Sequence, residues 1–181
     1  MAVGLLYRYG YFTQVLSSQG YQEARYDAQN FMDVPAEPVL KDNGEWLTIQ
    51  LALPGRNLSA RLWKVAVGRT DLYLLDTDYE DNRPDDRQIT HQLYGGDWEN
   101  RLKQEILLGI GGIRALRALG LDASVYHCNE GHAALIGIER LREYIEHKGL
   151  TFPEAMEVVR ASSLFTTRSE ERRVGKECRS R

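Results

Sequence analysis

The chain has 181 residues, 43% hydrophobic and 27% charged, with a formal net charge of −3 at pH 7. That length suffices for one domain with a sizeable core, and the weak negative charge gives neither nucleic acid nor an anionic membrane a reason to bind. No apolar run approaches the roughly 20 residues that span a bilayer.

The opening MAVGLLY lacks the basic leader of a signal peptide. Cys128 and Cys178 have no metal-ligand spacing, so a disulfide framework is not expected and a reducing cytoplasm is. Residues 4–12 alternate Leu6, Arg8 and Gly10 with Tyr7, Tyr9 and Tyr11, which predicts an extended segment passing into a short helix near residues 13–19. A start at full hydrophobic density is expected to be cut rather than finished. Residues 22–31 are expected to make one or two helical turns before Asp33, Pro35 and Pro38 impose extended backbone.

Three strands follow, at 46–53, 58–67 and 71–76, each alternating and separated by turn signals. Short runs of this kind favour an antiparallel meander. Residues 76–97 then gather Asp76, Asp78, Glu80, Asp81, Asp85 and Asp86 among Arg83, Pro84 and Arg87. Two readings stay open for this stretch: a solvated acidic loop, or a lid near a polar ligand.

From residue 98 to 119 the period returns to 3.6, with Leu102, Ile106, Leu107, Ile110, Ile113 and Leu116 on one face. Asp97 suits the N-cap and Gly120 the stop. Gly109, Gly111 and Gly112 inside this helix each cost up to ~1 kcal/mol relative to alanine, which points to close backbone packing or a break.

Residues 122–137 are the most site-like stretch. A β-rich run over 123–128 stops at Asn129, Glu130 and Gly131, and a helix is expected from His132 to residue 146. In open α/β sheets ligands collect where strands end in such turns. A further helix opens at Thr151-Phe152-Pro153, with proline at a first-turn position. A second buried strand is expected over 162–167, which makes this half a βαβ-type unit with a right-handed crossover. Residues 169–181 carry five basic and three acidic side chains and one valine. They are expected to be a disordered tail foreign to the protein, leaving 1–168 as the domain.

Two stretches, 94–109 (YGGDWENRLKQEILLG) and 125–134 (VYHCNEGHAA), resemble the α-glucan (glycogen/starch/maltodextrin) phosphorylases in their shorter bacterial form. Residues 4–12 (GLLYRYGYF) and 163–167 (SLFTT) match the same family in the same order. The resemblance implies an α/β fold: part of a Rossmann-like (glycosyltransferase-B type) N-terminal domain with an inserted antiparallel β meander. It implies an enzyme that transfers terminal glucosyl units of α-1,4-glucan to inorganic phosphate, giving glucose 1-phosphate. Pyridoxal phosphate is then the cofactor of the intact enzyme, and the intact form is a homodimer. Asn129, Glu130 and His132 look like the family's turn beside the glucosyl pocket. Arg101 looks like the arginine that follows its gate loop, and Asp97 falls in that gate, although the loop is shorter here. The cofactor's lysine and phosphate-binding groups belong to a C-terminal domain that these residues do not include. No complete catalytic set is present, so the chain by itself is expected to be inactive.

Plainer roles exist for each residue. His132, Asn129 and Glu130 could serve a helix N-terminus, Arg101 could pair with Glu105 at i,i+4, and His127 could be a core or supporting residue. Two other functions compete. One is a non-catalytic α/β sugar- or nucleotide-binding module, disfavoured because no strand is followed by Gly-x-Gly-x-x-Gly. The other is a metal hydrolase on His127, Glu130 and His132, whose spacing is not the helical i,i+4 histidine pair; no metal is expected.

Overall fold

The computed structural model describes residues 1–9, 12–93, 96–129 and 131–166. The chain opens with strand β1 (Ala2–Leu5) and a separate hairpin of β2 (Phe12–Leu16) and β3 (Gln22–Tyr26). It continues through β4 (Ala36–Pro38), β5 (Thr48–Leu53), β6 (Arg56–Val67) and β7 (Thr70–Asp76). β5, β6 and β7 form the expected antiparallel meander. β1 lies parallel along the outer edge of β7, and β4 and β5 divide the other edge of β6, so the order is β1-β7-β6-β4.

Period-two patterning explains which face is covered. Ile49, Leu51 and Leu53 of β5 are buried while Gln50 and Ala52 are exposed. Leu58, Ala60 and Leu62 of β6 and Leu75 of β7 are wholly buried against them. Burial of each large aliphatic side chain contributes about 1.5–3 kcal/mol.

Two expectations near the N-terminus are corrected. The stretch read as a short helix at 13–19 is strand β2, and the helical turns expected at 22–31 are strand β3 followed by one 3-10 turn, Phe31–Asp33. The bend between them sets this outcome: Gly20 takes φ +82°, and Ser17 accepts from the Tyr21 N–H. Only glycine adopts that φ without strain.

Residues 76–93 are not a solvated loop. Helix α1 (Pro84–Arg87) and the 3-10 turn Gln88–Thr90 organise them, and Asp76, Thr77, Asn82, Asp86 and Thr90 are buried. Arg56 clasps Asp86 with two hydrogen bonds of 2.6 and 2.7 Å, and Arg61 and the Trp63 indole both donate to Asp76. Asp78 takes hydrogen bonds from Arg8 and Arg87. Asn82 ties the segment to Ser59 of β6.

Helix α2 (Trp98–Ile106) runs through a π-helical stretch, Leu107–Gly111, into α3 (Gly112–Ala118). Asp97 caps its start by accepting from the Asn100 N–H at 3.0 Å, and Gly120 ends it at φ +69°. The glycine cluster proves to be both a change of helical form and a point of close approach. A Cβ on Gly111 would lie 3.2 Å from Ile49 of β5, and one on Gly109 would lie 2.7 Å from Leu135.

Strand β8 (Tyr126–Asn129) leads to a 3-10 turn, Gly131–Ala133, and α4 begins only at residue 136 (Ile136–Lys148). His132 therefore sits in the turn, not in the helix expected from it. Thr151 and Glu154 form a capping box at the head of α5 (Phe152–Ala161), with Pro153 in the first turn. β9 (Ser163–Thr166) pairs parallel with β8, Tyr126 opposite Ser163 and Asn129 opposite Thr166. β9 is exposed along its length, not buried as expected. The fold class is α/β; the expected tail at 169–181 lies outside the described residues.

Candidate functional site

Alternation along β8 sends Tyr126 and Cys128 inward and His127 and Asn129 outward. Burial pushes the Cys128 thiol pKa up, which suits a packing role over a reactive one. The inner side is locked by Arg140 of α4, itself 1% exposed. Its guanidinium lies 4.0 Å over the Tyr126 ring and donates to the Ser162 and Ser163 hydroxyls at the root of β9. One buried arginine thus fixes both strands at their start.

The outer side is tied at the other end. The Thr166 hydroxyl donates to Asn129 Oδ1 at 3.3 Å, and its oxygen lies 3.1 Å from His127 Nε2. With its own hydrogen directed to Asn129, Thr166 must accept there, so His127 donates. The chain His127→Thr166→Asn129 occupies the Asn129 carbonyl and leaves its NH₂ as the group for recognition. Thr166, which the sequence pattern does not single out, is thus what orients Asn129.

Beyond Asn129, Glu130 lies outside the described residues. The next turn presents His132, half-buried, with Nδ1 3.2 Å from Arg101 Nη2. A guanidinium has no acceptor, so Nδ1 must accept and the ring proton sits on Nε2. Arg101 also pairs with Glu105, one turn along α2, at 3.4 Å, so the i,i+4 contact and the contact to His132 coexist.

Asn129 and His132 line one cleft of about 640 Å³, walled by Ala2, Val3 and Tyr126 and floored by Ile113. Arg101 and His132 line a smaller neighbouring cleft of about 190 Å³ with Tyr7. His132 is the shared wall. Asp97 is not with them: it faces a third cleft of about 540 Å³, with Tyr9, Gln88, His91 and Asn100. Of the five residues singled out from sequence, Asn129 and Arg101 each share a cleft with His132, Asp97 caps α2 elsewhere, and Glu130 lies outside the described residues.

Two further chemistries can be tested on these residues. Among the described residues no three His, Cys, Asp or Glu side chains gather as a metal site; His127 and His132 engage Thr166 and Arg101 instead. Pyridoxal phosphate needs a lysine amine for attachment. Lys41, Lys64 and Lys103 are ion-paired with Glu45, Asp71 and Glu99, and neither cleft lined by His132 contains a lysine. These residues do not fit that cofactor, and no step here runs through it.

No family model matches the chain. Among curated relatives, the maltodextrin phosphorylase of Thermococcus litoralis is 46% identical over 167 residues, and the glycogen phosphorylase of Mycobacterium tuberculosis 47% over 174. The glycogen phosphorylase of Aquifex aeolicus is 39% identical over 168 residues. Each match takes in 92% of this chain. It takes in 20% of the first two relatives and 24% of the third, so the chain spans about a fifth of the length of the relatives it matches.

Proposed function

The chain belongs to the glycogen and maltodextrin phosphorylase family, and on that premise we propose that it forms part of the N-terminal domain of an α-1,4-glucan phosphorylase. In this reading the domain is Rossmann-like, of the glycosyltransferase-B type, and the meander β5–β7 is its insertion. A parallel strand pair joined through α4 and α5, with its polar turn at the strand ends, supports that placement. The intact enzyme, a cytoplasmic homodimer carrying pyridoxal phosphate, passes a terminal glucosyl unit to inorganic phosphate and yields glucose 1-phosphate.

The part assigned to this chain is to hold the glucosyl unit. Glucosyl transfer passes through oxocarbenium-like charge, and its rate depends on polar groups already aimed before that charge develops. His132 offers Nε2–H as donor to a sugar hydroxyl, its tautomer set by Arg101. Asn129 offers its NH₂, because Thr166 holds its carbonyl. Glu130, between them in sequence, is assigned as an acceptor for a second hydroxyl, and Asp97 to the gate loop at the third cleft, apart from the two that His132 lines. The groups that activate phosphate lie outside this chain, so the chain alone is inactive.

The Arg101–His132 contact carries this reading, because it joins two stretches 31 residues apart at the end of β8. Titrating the isotope-labelled chain with maltoheptaose tests it. NMR shifts should concentrate at Asn129, His132 and Arg101. Shifts confined to the Asp97 cleft, or none, would refute the assignment.

A further inference from the structure

Asp78, just past the end of β7, is where two arginines meet. Its side chain is 5% exposed. Arg8 donates from Nη1 to Oδ2, and Arg87, the last residue of α1, donates from Nε to Oδ1 at 2.9 Å. His91 Nε2 lies 3.3 Å from Oδ2. Backbone fixes the walls around them: the Arg8 N–H donates to the Thr90 carbonyl at 3.0 Å and the Tyr9 N–H to the His91 carbonyl at 2.8 Å.

Each guanidinium spends a single N–H on Asp78, and no other acceptor meets either one among the described residues. The two side chains are 43% and 39% exposed, so their remaining donors are open to a ligand. Positive charge is in excess as well. The buried neighbours Asp76 and Asp86 have cations of their own, Arg61 and Arg56. Two arginines therefore share one carboxylate, which leaves a net charge of +1. Pinned on a buried carboxylate, both forks keep their aim before anything binds, so little side-chain freedom is lost on binding. Arg8, Arg87, His91, Tyr9 and Gln88 line a cleft of about 290 Å³, at the small end of ligand pockets. Tyr9, Gln88 and His91 also line the cleft of about 540 Å³ that Asp97 faces, so the two adjoin.

We propose that this cleft binds a phosphate group on Arg8 and Arg87, either as inorganic phosphate or as the phosphate end of a polyol ester. A phosphate dianion carries oxygens in several directions and meets both forks, whereas a carboxylate has one charge and two oxygens in a plane. In an ester, the hydroxyls extend into the adjoining cleft, where Gln92, Asn100 and Asp85 are hydroxyl partners. The site is separate from the glucosyl site, because none of its residues lines either cleft of His132. It stands whether or not the glucan assignment does.

NMR titration of the isotope-labelled 181-residue chain with sodium phosphate tests it, against sodium chloride at the same ionic strength so that general screening cancels. Phosphate should give saturable shifts centred on Arg8, Tyr9, Arg87 and His91, and chloride should not. Arg87→Lys keeps a positive charge beside Asp78 but loses the fork, and should weaken binding by about tenfold. Gln88→Glu changes an exposed wall residue, leaves both pairs with Asp78 intact, and should weaken binding several-fold by repulsion. Phosphate shifts no different from those of chloride, shifts centred elsewhere, or unchanged affinity in the Gln88→Glu chain would overturn the proposal. Sorbitol 6-phosphate then identifies the source. Shifts that reach Gln92 and Asn100 select the ester, and shifts that match those of inorganic phosphate select the free ion; both leave the phosphate on Arg8 and Arg87.

Discussion

A methyl group on Gly109 would fall 2.7 Å from Leu135 Cβ and 3.0 Å from the Ile136 nitrogen, so the π-helical stretch meets the start of α4 with no side chain between. Leu135 follows His132 by three residues, and Gly109 lies two turns beyond Arg101. Their approach holds the turn against the helix and lets Arg101 reach the imidazole.

Gly109→Ala should therefore lower stability by about 1–3 kcal/mol, because backbone must move to admit the methyl group. A methyl group on Gly137, in α4, would meet nothing within 4 Å. Gly137→Ala should raise stability by about 0.5–1 kcal/mol through helix propensity. Urea unfolding of the two variants, read against each other, checks the pair; equal effects would contradict the packing argument.

Acid should unfold the chain through three buried carboxylates. The Arg56 hydrogen bonds hold the Asp86 carboxyl below the usual carboxylate range despite burial. Burial pushes Asp78 up, but Arg8 and Arg87 outweigh it and leave it low. Burial likewise pushes Glu139 up, and hydrogen bonds from Arg142 and Arg114 bring it below its ordinary value. A carboxyl that is more acidic folded than unfolded adds stability that is complete above its unfolded pKa and lost as pH falls through the folded one. The urea midpoint should stay nearly level from about pH 8 to 5 and drop below about pH 4. Arg56→Ala, which leaves Asp86 buried and unpaired, should cost about 3–5 kcal/mol near neutral pH.

His132 should be found as the Nε2–H tautomer in ¹⁵N NMR of the imidazole. Arg101→Ala should convert it to a mixture of tautomers, because the donor that selects Nδ1 as acceptor is gone. An Nδ1–H ring in the unmodified chain would contradict the contact.

Thr166→Val removes the hydroxyl between His127 and Asn129 while keeping the side-chain shape. Its effect on folding should stay within about 0.5 kcal/mol, since the group is exposed. Its effect on maltoheptaose binding should be several-fold weaker affinity, about 1 kcal/mol, because Asn129 loses its fixed orientation. A calorimetric titration that finds unchanged affinity would remove Thr166 from the site.

Periodicity made the meander, α2, α3 and α5 legible in the sequence, since each buries one face at a spacing its own residues announce. The hairpin of β2 and β3 was not, because a single turn at Gly20 decides it and the flanking residues favour neither period. Residues 76–93 misled for a different reason. Their acidic side chains read as solvated, yet the partners that bury them, Arg8 and Arg56, stand 70 and 30 residues away. At the site, the turn after β8 was visible as a break in pattern, but the pairing of Arg101 with His132 is tertiary, as are the roles of Thr166 and Arg140. Cap chemistry placed Asp97 correctly at the head of α2, which is also why it faces another cleft.

The most direct test of the glucosyl site is a chimera in which residues 1–166 replace the matched stretch of the Thermococcus litoralis maltodextrin phosphorylase, assayed for glucose 1-phosphate release from maltoheptaose and phosphate. The expected result is activity in the chimera, a loss of at least about 100-fold on Arg101→Ala or His132→Ala, and none from the 181-residue chain alone. An active chimera indifferent to both substitutions would contradict the assignment.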